Sequence, residues 1–68
     1  MLNMLNQMTG QELRERREAS GLKAFELAER MHVHASRISQ IEALAVVRDR
    51  TARRYLEALE GQVTTSME

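Results

Sequence analysis

The side chains of Ser36, Ser39 and Gln40 donate and accept hydrogen bonds, and their spacing groups them on one side of a helix. At about 100° per residue they lie opposite Ile38 and Ile41, whose apolar side chains mark the buried side. An exposed helix face usually carries lysine and glutamate, so a short, uncharged, hydrogen-bonding face is informative. This face is therefore the first candidate for a binding surface.

An excess of basic charge is concentrated in residues 30–54. Residues 1–29 hold four basic and five acidic side chains, whereas residues 30–54 hold six arginines against Glu42 and Asp49. The full chain has ten basic and ten acidic residues, and this balance argues against a nonspecific nucleic-acid coat. Two interpretations stay open: an arginine face that contacts phosphates while the rest is neutral, and a face that is only solvated.

His32 and His34 form an H-x-H pair, which is a pattern of potential metal ligands. A metal site needs three or four ligands, and the chain has no cysteine and no third histidine. We therefore expect no metal and no cofactor, and we assign His32 to a turn. No nucleophile has a plausible base and orienting partner, so we also expect no enzymatic activity.

The 68 residues make one domain with a small core, and domains of this size are often stabilised by disulfides, metals or self-association. Because cysteine is absent, disulfides and thiolate-bound zinc are excluded, and helix packing and a dimer partner remain as sources of stability. The longest apolar run, 43–47, is far too short to span a bilayer, and the start shows no basic leader or cleavage pattern. We expect a cytoplasmic protein with no membrane contact.

Capping signals and apolar spacing predict an all-α fold of four to five helices, with a tail that is short and strand-competent. Thr9 and Glu12 form a capping-box pattern for a first helix, which Gly21 ends. Asp49 is expected to cap the last helix and Gly61 to end it. The predicted helices cover 10–20, 24–31, 35–43 and about 50–59.

The same pattern divides the chain and predicts its core. We expect a flexible start over 1–8, a helical domain over 9–61 and a tail over 62–68. The methionines at positions 1, 4 and 8 are assigned to a frayed or self-associating start. The apolar residues expected to face the core are Leu13, Ala19, Leu27, Ala28, Met31, Ile38, Ile41, Tyr55, Leu56 and Leu59.

The segment from Gly21 to Glu42, GLKAFELAERMHVHASRISQIE, resembles the Xre-type helix-turn-helix family, which includes the lambdoid phage repressors and Cro. The ending from Arg53 to Gly61 is similar to small antitoxins of the HigA sort. The resemblance implies a compact lambda-repressor-like domain in which the small Ala28 lets two helices cross closely. It also implies that Val33 occupies an apolar position of the core and that Arg17 and Glu42 form a structural ion pair.

The resemblance further implies double-stranded DNA as the partner, with the helix over 35–43 in the major groove. Gln40 could bond adenine in a bidentate way, and the Ala35 methyl could contact a thymine methyl. The residues placed at base edges are Ala35, Ser36, Arg37 and Gln40. Those placed at phosphates are Lys23, Ala24, His34, Ser39, Arg48 and Arg50.

Four positions depart from the family's pattern. Lys23 and Ala24 stand where the family commonly has Thr-Gln, so a helix cap and a phosphate-binding amide are missing. His32 replaces the turn glycine, and histidine is among the few residues that tolerate a positive φ. His34 replaces the usual serine cap. These changes leave the expected fold intact and weaken the expectation of tight DNA binding.

Two classes of function follow. The first is a sequence-specific DNA-binding transcriptional regulator, such as a phage-type repressor, an antitoxin that represses its own operon or a small controller factor. It would bind a palindromic operator as a homodimer, with Leu59 and Val63 as candidates for the dimer contact. A toxin or another protein is a further candidate partner. The alternative is a helix-turn-helix module that contacts a protein and has lost DNA binding, which the zero net charge favours.

Overall fold

The computed structural model describes residues 8–61, and this part of the chain is built from helices, with no strand. The all-α prediction is confirmed. The tail with Val63 and the methionines at positions 1 and 4 lie outside the described residues. None of the helices in residues 8–61 is long and apolar enough to cross a membrane. The helices are α1 Gly10–Ser20, α2 Ala24–Met31, α3 Ala35–Glu42 and α4 Asp49–Glu60.

The capping box predicted for α1 is confirmed. Thr9 Oγ1 accepts a hydrogen bond from the Glu12 amide at 3.0 Å, and Glu12 Oε1 accepts one from the Thr9 amide at 3.0 Å. Gly21 then ends the helix in the left-handed conformation, at φ 80°. Both ends of α1 are therefore fixed by side chains and backbone within four residues of the boundary.

The turn between α2 and α3 keeps its geometry without a glycine. His32 adopts φ 61° and ψ 42°, so the prediction that histidine occupies the left-handed turn position is confirmed. The amide of the next residue, Val33, donates to the Ala28 carbonyl at 3.0 Å and closes the turn. His34 follows as the residue before α3, and its side chain makes no capping hydrogen bond.

The prediction that Asp49 caps α4 is wrong. Arg48 is the residue before the helix, at φ −62° and ψ 148°, and Asp49 is already the first helical residue. The Asp49 carboxylate instead accepts from Arg53 Nη2 at 2.9 Å, one turn along the helix. Similarly, α3 ends at Glu42, one residue before the predicted end, because Ala43 is its capping residue.

The core lies where the four helices meet, and most of the predicted apolar residues are in it. Ala19 is a wrong prediction: it is exposed, because the buried side of α1 contains only Gly10 and Leu13. Val33, Leu56 and Leu59 are half-buried at the edge of the core rather than inside it. The buried residues are Leu13, Leu27, Ala28, Met31, Ile38, Ile41, Val47, Ala52, Tyr55 and Ala58.

The connection between α3 and α4 pairs with the residues just before α1 through a short antiparallel bridge. The amide of Val47 donates to the Met8 carbonyl at 2.7 Å, and the amide of Gly10 donates to the Leu44 carbonyl at 2.9 Å. Val47 is fully buried and Met8 is half-buried against the core. Met8, which the sequence assigns to the flexible start, is thus held by backbone pairing and packing.

Gly10 allows α1 to begin directly against the end of α3. A Cβ atom at this position would overlap the backbone carbonyl oxygens of Ile41 and Glu42. The hydrogen on the Gly10 Cα is therefore the only substituent that fits there. Since backbone atoms cannot move aside as a flexible side chain can, this contact fixes the position of α3 relative to α1.

Candidate nucleic-acid interface

The outward side of α3 is exposed along its whole length. Ile38 and Ile41 are buried, and they anchor the helix on the core. The spacing of the remaining residues turns them away from this anchor, as the sequence pattern predicts. The exposed residues on α3 are Ala35, Ser36, Arg37, Ser39 and Gln40.

The one acidic residue of α3, Glu42, is turned inward and paired with Arg17 of α1. Arg17 Nε lies 2.7 Å from Glu42 Oε2, and Nη2 lies 3.2 Å from Oε1, so the contact is bidentate. The side chains of Arg17 and Glu42 are 12% and 10% exposed, which leaves little water to screen the pair. Arg17 Nη1 also donates to the Leu22 carbonyl at 3.0 Å.

Tyr55 of α4 is the third member of this buried network, and sequence reasoning did not find its role. Its hydroxyl oxygen lies 2.5 Å from Glu42 Oε2 and 3.1 Å from the Leu13 carbonyl oxygen. A hydroxyl has one hydrogen, so the closer, charged acceptor takes it. The 3.6-residue spacing identified Tyr55 as a core residue, but nothing in the local sequence identifies a partner 13 residues away.

The network shifts the ionisation of all three groups. Burial alone raises the pKa of Glu42, but the hydrogen bonds from Arg17 and Tyr55 outweigh it, so its pKa lies below the ordinary value. The hydrogen bond to Glu42 raises the pKa of Arg17. Burial, followed by the hydrogen bond to Glu42, raises the pKa of Tyr55 well above that of a free tyrosine. At neutral pH the pair is therefore ionised and Tyr55 is neutral.

The inward pairing of Glu42 decides the charge of the exposed α3 face. Because the carboxylate is neutralised inside the domain, the outward side of α3 presents hydroxyls, an amide and one guanidinium, that of Arg37. No negative side chain lies on this face. A surface of this kind can donate and accept hydrogen bonds at a polyanion without repelling it.

The basic residues assigned to phosphate contacts flank α3 in the chain and are exposed. Lys23 and His34 precede α2 and α3, and Arg48 and Arg50 lie at the start of α4. Within residues 8–61, none of these four side chains forms an ion pair or a hydrogen bond. These four side chains are therefore available to a ligand.

Ala24 and Ser39 are the two remaining phosphate candidates, and Ala24 differs from all the others because its side chain is apolar. It is half-buried against the core and lines a groove of about 310 Å³ together with Ser39. Its methyl group has no donor to offer, so only its position beside Ser39 relates it to the interface. The other lining residues of this groove are Arg14, Arg17, Glu42 and Ala43.

Two of the six arginines in residues 30–54 serve the fold instead. Arg30 Nη1 donates to the carbonyl oxygens of Ala58 at 2.8 Å and Leu59 at 3.3 Å, where it caps the C-terminal end of α4. Arg53 pairs with Asp49 on the surface of α4. The charge count therefore overstates the positive surface, and no local signal could identify the partners of Arg30, which are 28 and 29 residues away.

The histidines of the H-x-H pair lie on either side of the turn between α2 and α3, and both are exposed. In the described range, no three side chains of histidine, aspartate or glutamate come together as a potential metal site. The turn geometry of His32 accounts for one of these residues.

The four helices, the tight turn at His32 and the exposed α3 define a helix-turn-helix domain. The family model described as a helix-turn-helix domain matches residues 9–64, which is most of the chain. The chain belongs to this family. No curated protein and no solved structure matches it. The family is of a DNA-binding, non-enzymatic kind, which indicates a DNA-binding regulator in general terms.

Proposed function

We propose that this chain is an Xre-type, sequence-specific transcriptional regulator that inserts α3 into the major groove of DNA. The observation that carries the proposal is the inward pairing of Glu42 with Arg17, which leaves the exposed side of α3 free of negative charge. Such a face suits a regulator because phosphates and base acceptors repel carboxylates. The roles that fit are a phage-type repressor, an autoregulating antitoxin and a small controller factor.

The side chains on α3 suit the reading of base edges. Gln40 can form a bidentate pair with the N6 and N7 groups of adenine, and Ser36 can donate or accept at any base. Ala35 offers a methyl group to thymine, and Arg37 can bond guanine or a phosphate. All four are exposed on one short helix, so they can reach adjacent base pairs of a single half-site.

Phosphate contacts would orient α3 in the groove. Arg48 and Arg50 stand at the start of α4, and Lys23 and His34 at the starts of α2 and α3. A guanidinium fork matches phosphate geometry, whereas lysine contributes mainly charge. Ser39 and the position of Ala24 complete the proposed contact. These contacts position the protein without reading sequence.

The proposal includes a homodimer on a palindromic operator. One recognition helix reads only a few base pairs, whereas two copies related by a two-fold axis read half-sites about one helical turn apart. Leu59 remains a candidate for the dimer contact because it is half-buried near the end of α4. Val63 is the second candidate. A toxin or another protein is proposed as an additional partner if the chain is an antitoxin.

A second candidate function is a protein-interaction module that has lost DNA binding. The observation in its favour is the start of α2, where the Lys23 side chain makes no capping bond and Ala24 carries no amide. His34 likewise leaves α3 without a side-chain cap. Under this alternative, the exposed face of α3 would contact a protein rather than base edges.

Titration against a library of palindromic DNA sites at two salt concentrations distinguishes the two functions. A regulator should select a defined motif, with affinity that falls as salt rises because phosphate contacts release counterions. Gln40→Ala should change the selected motif, whereas Gln11→Ala, the same change on the exposed side of α1, should not. If no sequence is retained at either salt concentration, the regulator proposal fails and the interaction module is favoured.

A further inference from the structure

A groove of about 260 Å³ lies between the C-terminal halves of α1 and α4. It is separate from the exposed face of α3, and it contains none of the residues assigned to bases or phosphates. Its walls belong to α1 and α4 and not to α3, so a partner could occupy the groove while α3 is on DNA. The lining residues are Arg16, Ala19, Ser20, Leu56, Leu59 and Glu60.

The floor of the groove is apolar. Leu56 and Leu59 pack against the core on one side and keep the other side exposed, and the methyl group of Ala19 faces solvent. A surface that covers these three side chains would remove their apolar area from water, which favours association. Ala19 of α1, which the sequence predicted to be buried, is an exposed part of this floor.

The two rims of the groove carry opposite charges that are not used inside the domain. Arg16 lies on α1 and Glu60 on α4, and within residues 8–61 neither side chain forms an ion pair or a hydrogen bond. Neighbouring charges behave differently, since Arg14 pairs with Glu18 at 3.1 Å on the same helix. The two rim charges are therefore free to meet charges on a partner.

We propose that this groove is the contact between two copies of the chain, in which Arg16 of each copy faces Glu60 of the other. A two-fold axis brings the same surface of both copies together, so a surface with one positive and one negative rim is complementary to itself. The half-buried Leu56 and Leu59 then pack at the centre of the contact. This inference rests on the proposed function, because it supplies the dimer that the regulator needs.

The size of the surface sets the strength of the contact. Stable interfaces use roughly 20–30 residues on each side, far more than line this groove. The dimer is therefore weak in free solution. Two adjacent half-sites on DNA raise the effective concentration of one copy near the other, which stabilises the same contact on an operator.

Charge exchange across the groove tests the proposal without DNA. Arg16→Glu and Glu60→Arg, each alone, should weaken self-association at least about tenfold in sedimentation equilibrium up to millimolar concentration, because each places like charges opposite. An equal mixture of the two variants should associate as well as the wild type, since both contacts then pair opposite charges. Arg54→Glu and Glu57→Arg are matched controls on the side of α4 that faces α2, and they should leave association unchanged.

The proposal is overturned if the wild type stays monomeric, or if the charge exchanges leave its dimer intact. A monomer whose melting temperature falls with both exchanges would place another part of the same chain in the groove, and this also overturns it. Binding to a single half-site is measured in parallel and should match that of the control with the same charge change. If the dimer fails while half-site binding persists, the groove assignment is wrong and the proposed function stands.

Discussion

Tyr55 donates its hydroxyl hydrogen to Glu42 Oε2 at 2.5 Å. The same carboxylate oxygen also accepts a hydrogen bond from Arg17 Nε at 2.7 Å. Because the three residues belong to α4, α3 and α1, one carboxylate oxygen joins three helices. α3 is therefore held at its C-terminal end by charge and by hydrogen bonding, in addition to the apolar contacts of Ile38 and Ile41.

Arg17→Ala should destabilise the domain much more than Glu15→Ala. Removal of one partner of a buried ion pair costs roughly 3–5 kcal/mol, and we expect the lower end because the Arg17 and Glu42 side chains are 12% and 10% exposed. Glu15 is exposed and, within residues 8–61, its side chain bonds only Gln11, so its loss should change stability by less than about 0.5 kcal/mol. Urea unfolding measures both. Equal midpoints for the two variants would contradict the buried pair.

The network also predicts how stability depends on pH. The pKa of Glu42 is lower in the folded chain than its ordinary value of 4.5, so the unfolded chain binds the proton more readily. The stabilisation is complete above that value and is lost as pH falls through the lower, folded pKa. Glu42→Gln should be less stable at pH 7 and should lose less stability on acidification. Glu15→Gln is the control, and it should show the acid dependence of the wild type.

Gly10→Ala should reverse the usual effect of this substitution. In an ordinary helix position alanine is favoured over glycine by roughly 0.5–1 kcal/mol. At Gly10 the added methyl would overlap the carbonyl oxygens of Ile41 and Glu42, and overpacking of this kind costs typically about 1–3 kcal/mol. Thermal unfolding gives the sign. A variant more stable than the wild type would show that α1 and α3 are farther apart than the structure has them.

Substitutions of the proposed base-contacting residues and of the proposed phosphate-contacting residues should have different effects in a sequence-selection assay. Gln40→Ala and Ser36→Ala should relax base preference, and loss of a bidentate pair should cost about 1–3 kcal/mol of discrimination. Arg48→Ala and Arg50→Ala should weaken binding to all sequences alike and reduce the salt slope by about one each. If the two groups of variants change selection in the same way, the assignment of the reading face is wrong.

Two substitutions at the start of α2 should affect different properties, one the stability of the domain and the other its affinity for DNA. Lys23 already has the extended backbone of a capping residue, and Glu26 accepts from its amide at 2.8 Å, so Lys23→Thr completes a capping box. Stability should rise by about 0.5–2 kcal/mol. Ala24→Gln should leave the melting temperature nearly unchanged and tighten binding to operator and random DNA alike, because an amide at phosphate reads no sequence. Unchanged or abolished binding would show that α2 does not approach DNA in this manner.

Local signals in the sequence predicted most of the helix boundaries. Thr9 with Glu12, and the glycines at positions 21 and 61, act within one turn of the backbone they fix, so their types and spacing are sufficient evidence. The left-handed conformation of His32, by contrast, was predicted only through the family resemblance, in which this residue takes the place of a turn glycine. Asp49 failed as a cap because a residue that can cap can also pair one turn along, and sequence does not decide between the two.

Contacts between distant residues were not predictable in this way. The bridge between Met8 and Val47, the approach of Gly10 to Glu42 and the bond from Arg30 to α4 each depend on how helices pack, and no spacing rule reports them. Arg17 and Glu42 were paired only through a family resemblance. The direction of the α3 face was readable because the periodicity of Ile38 and Ile41 alone determines it.

The environment of Tyr55 allows unfolding of the domain to be followed by tyrosine absorption and fluorescence. The chain has one tyrosine and no tryptophan, so absorption and emission near 280–300 nm come from this single phenol. Because its hydroxyl is bonded to the Glu42 carboxylate in the folded state, the phenol changes its surroundings completely when the three helices separate. Its emission therefore records the opening of the helix junction directly, in the unmodified chain and without an added dye.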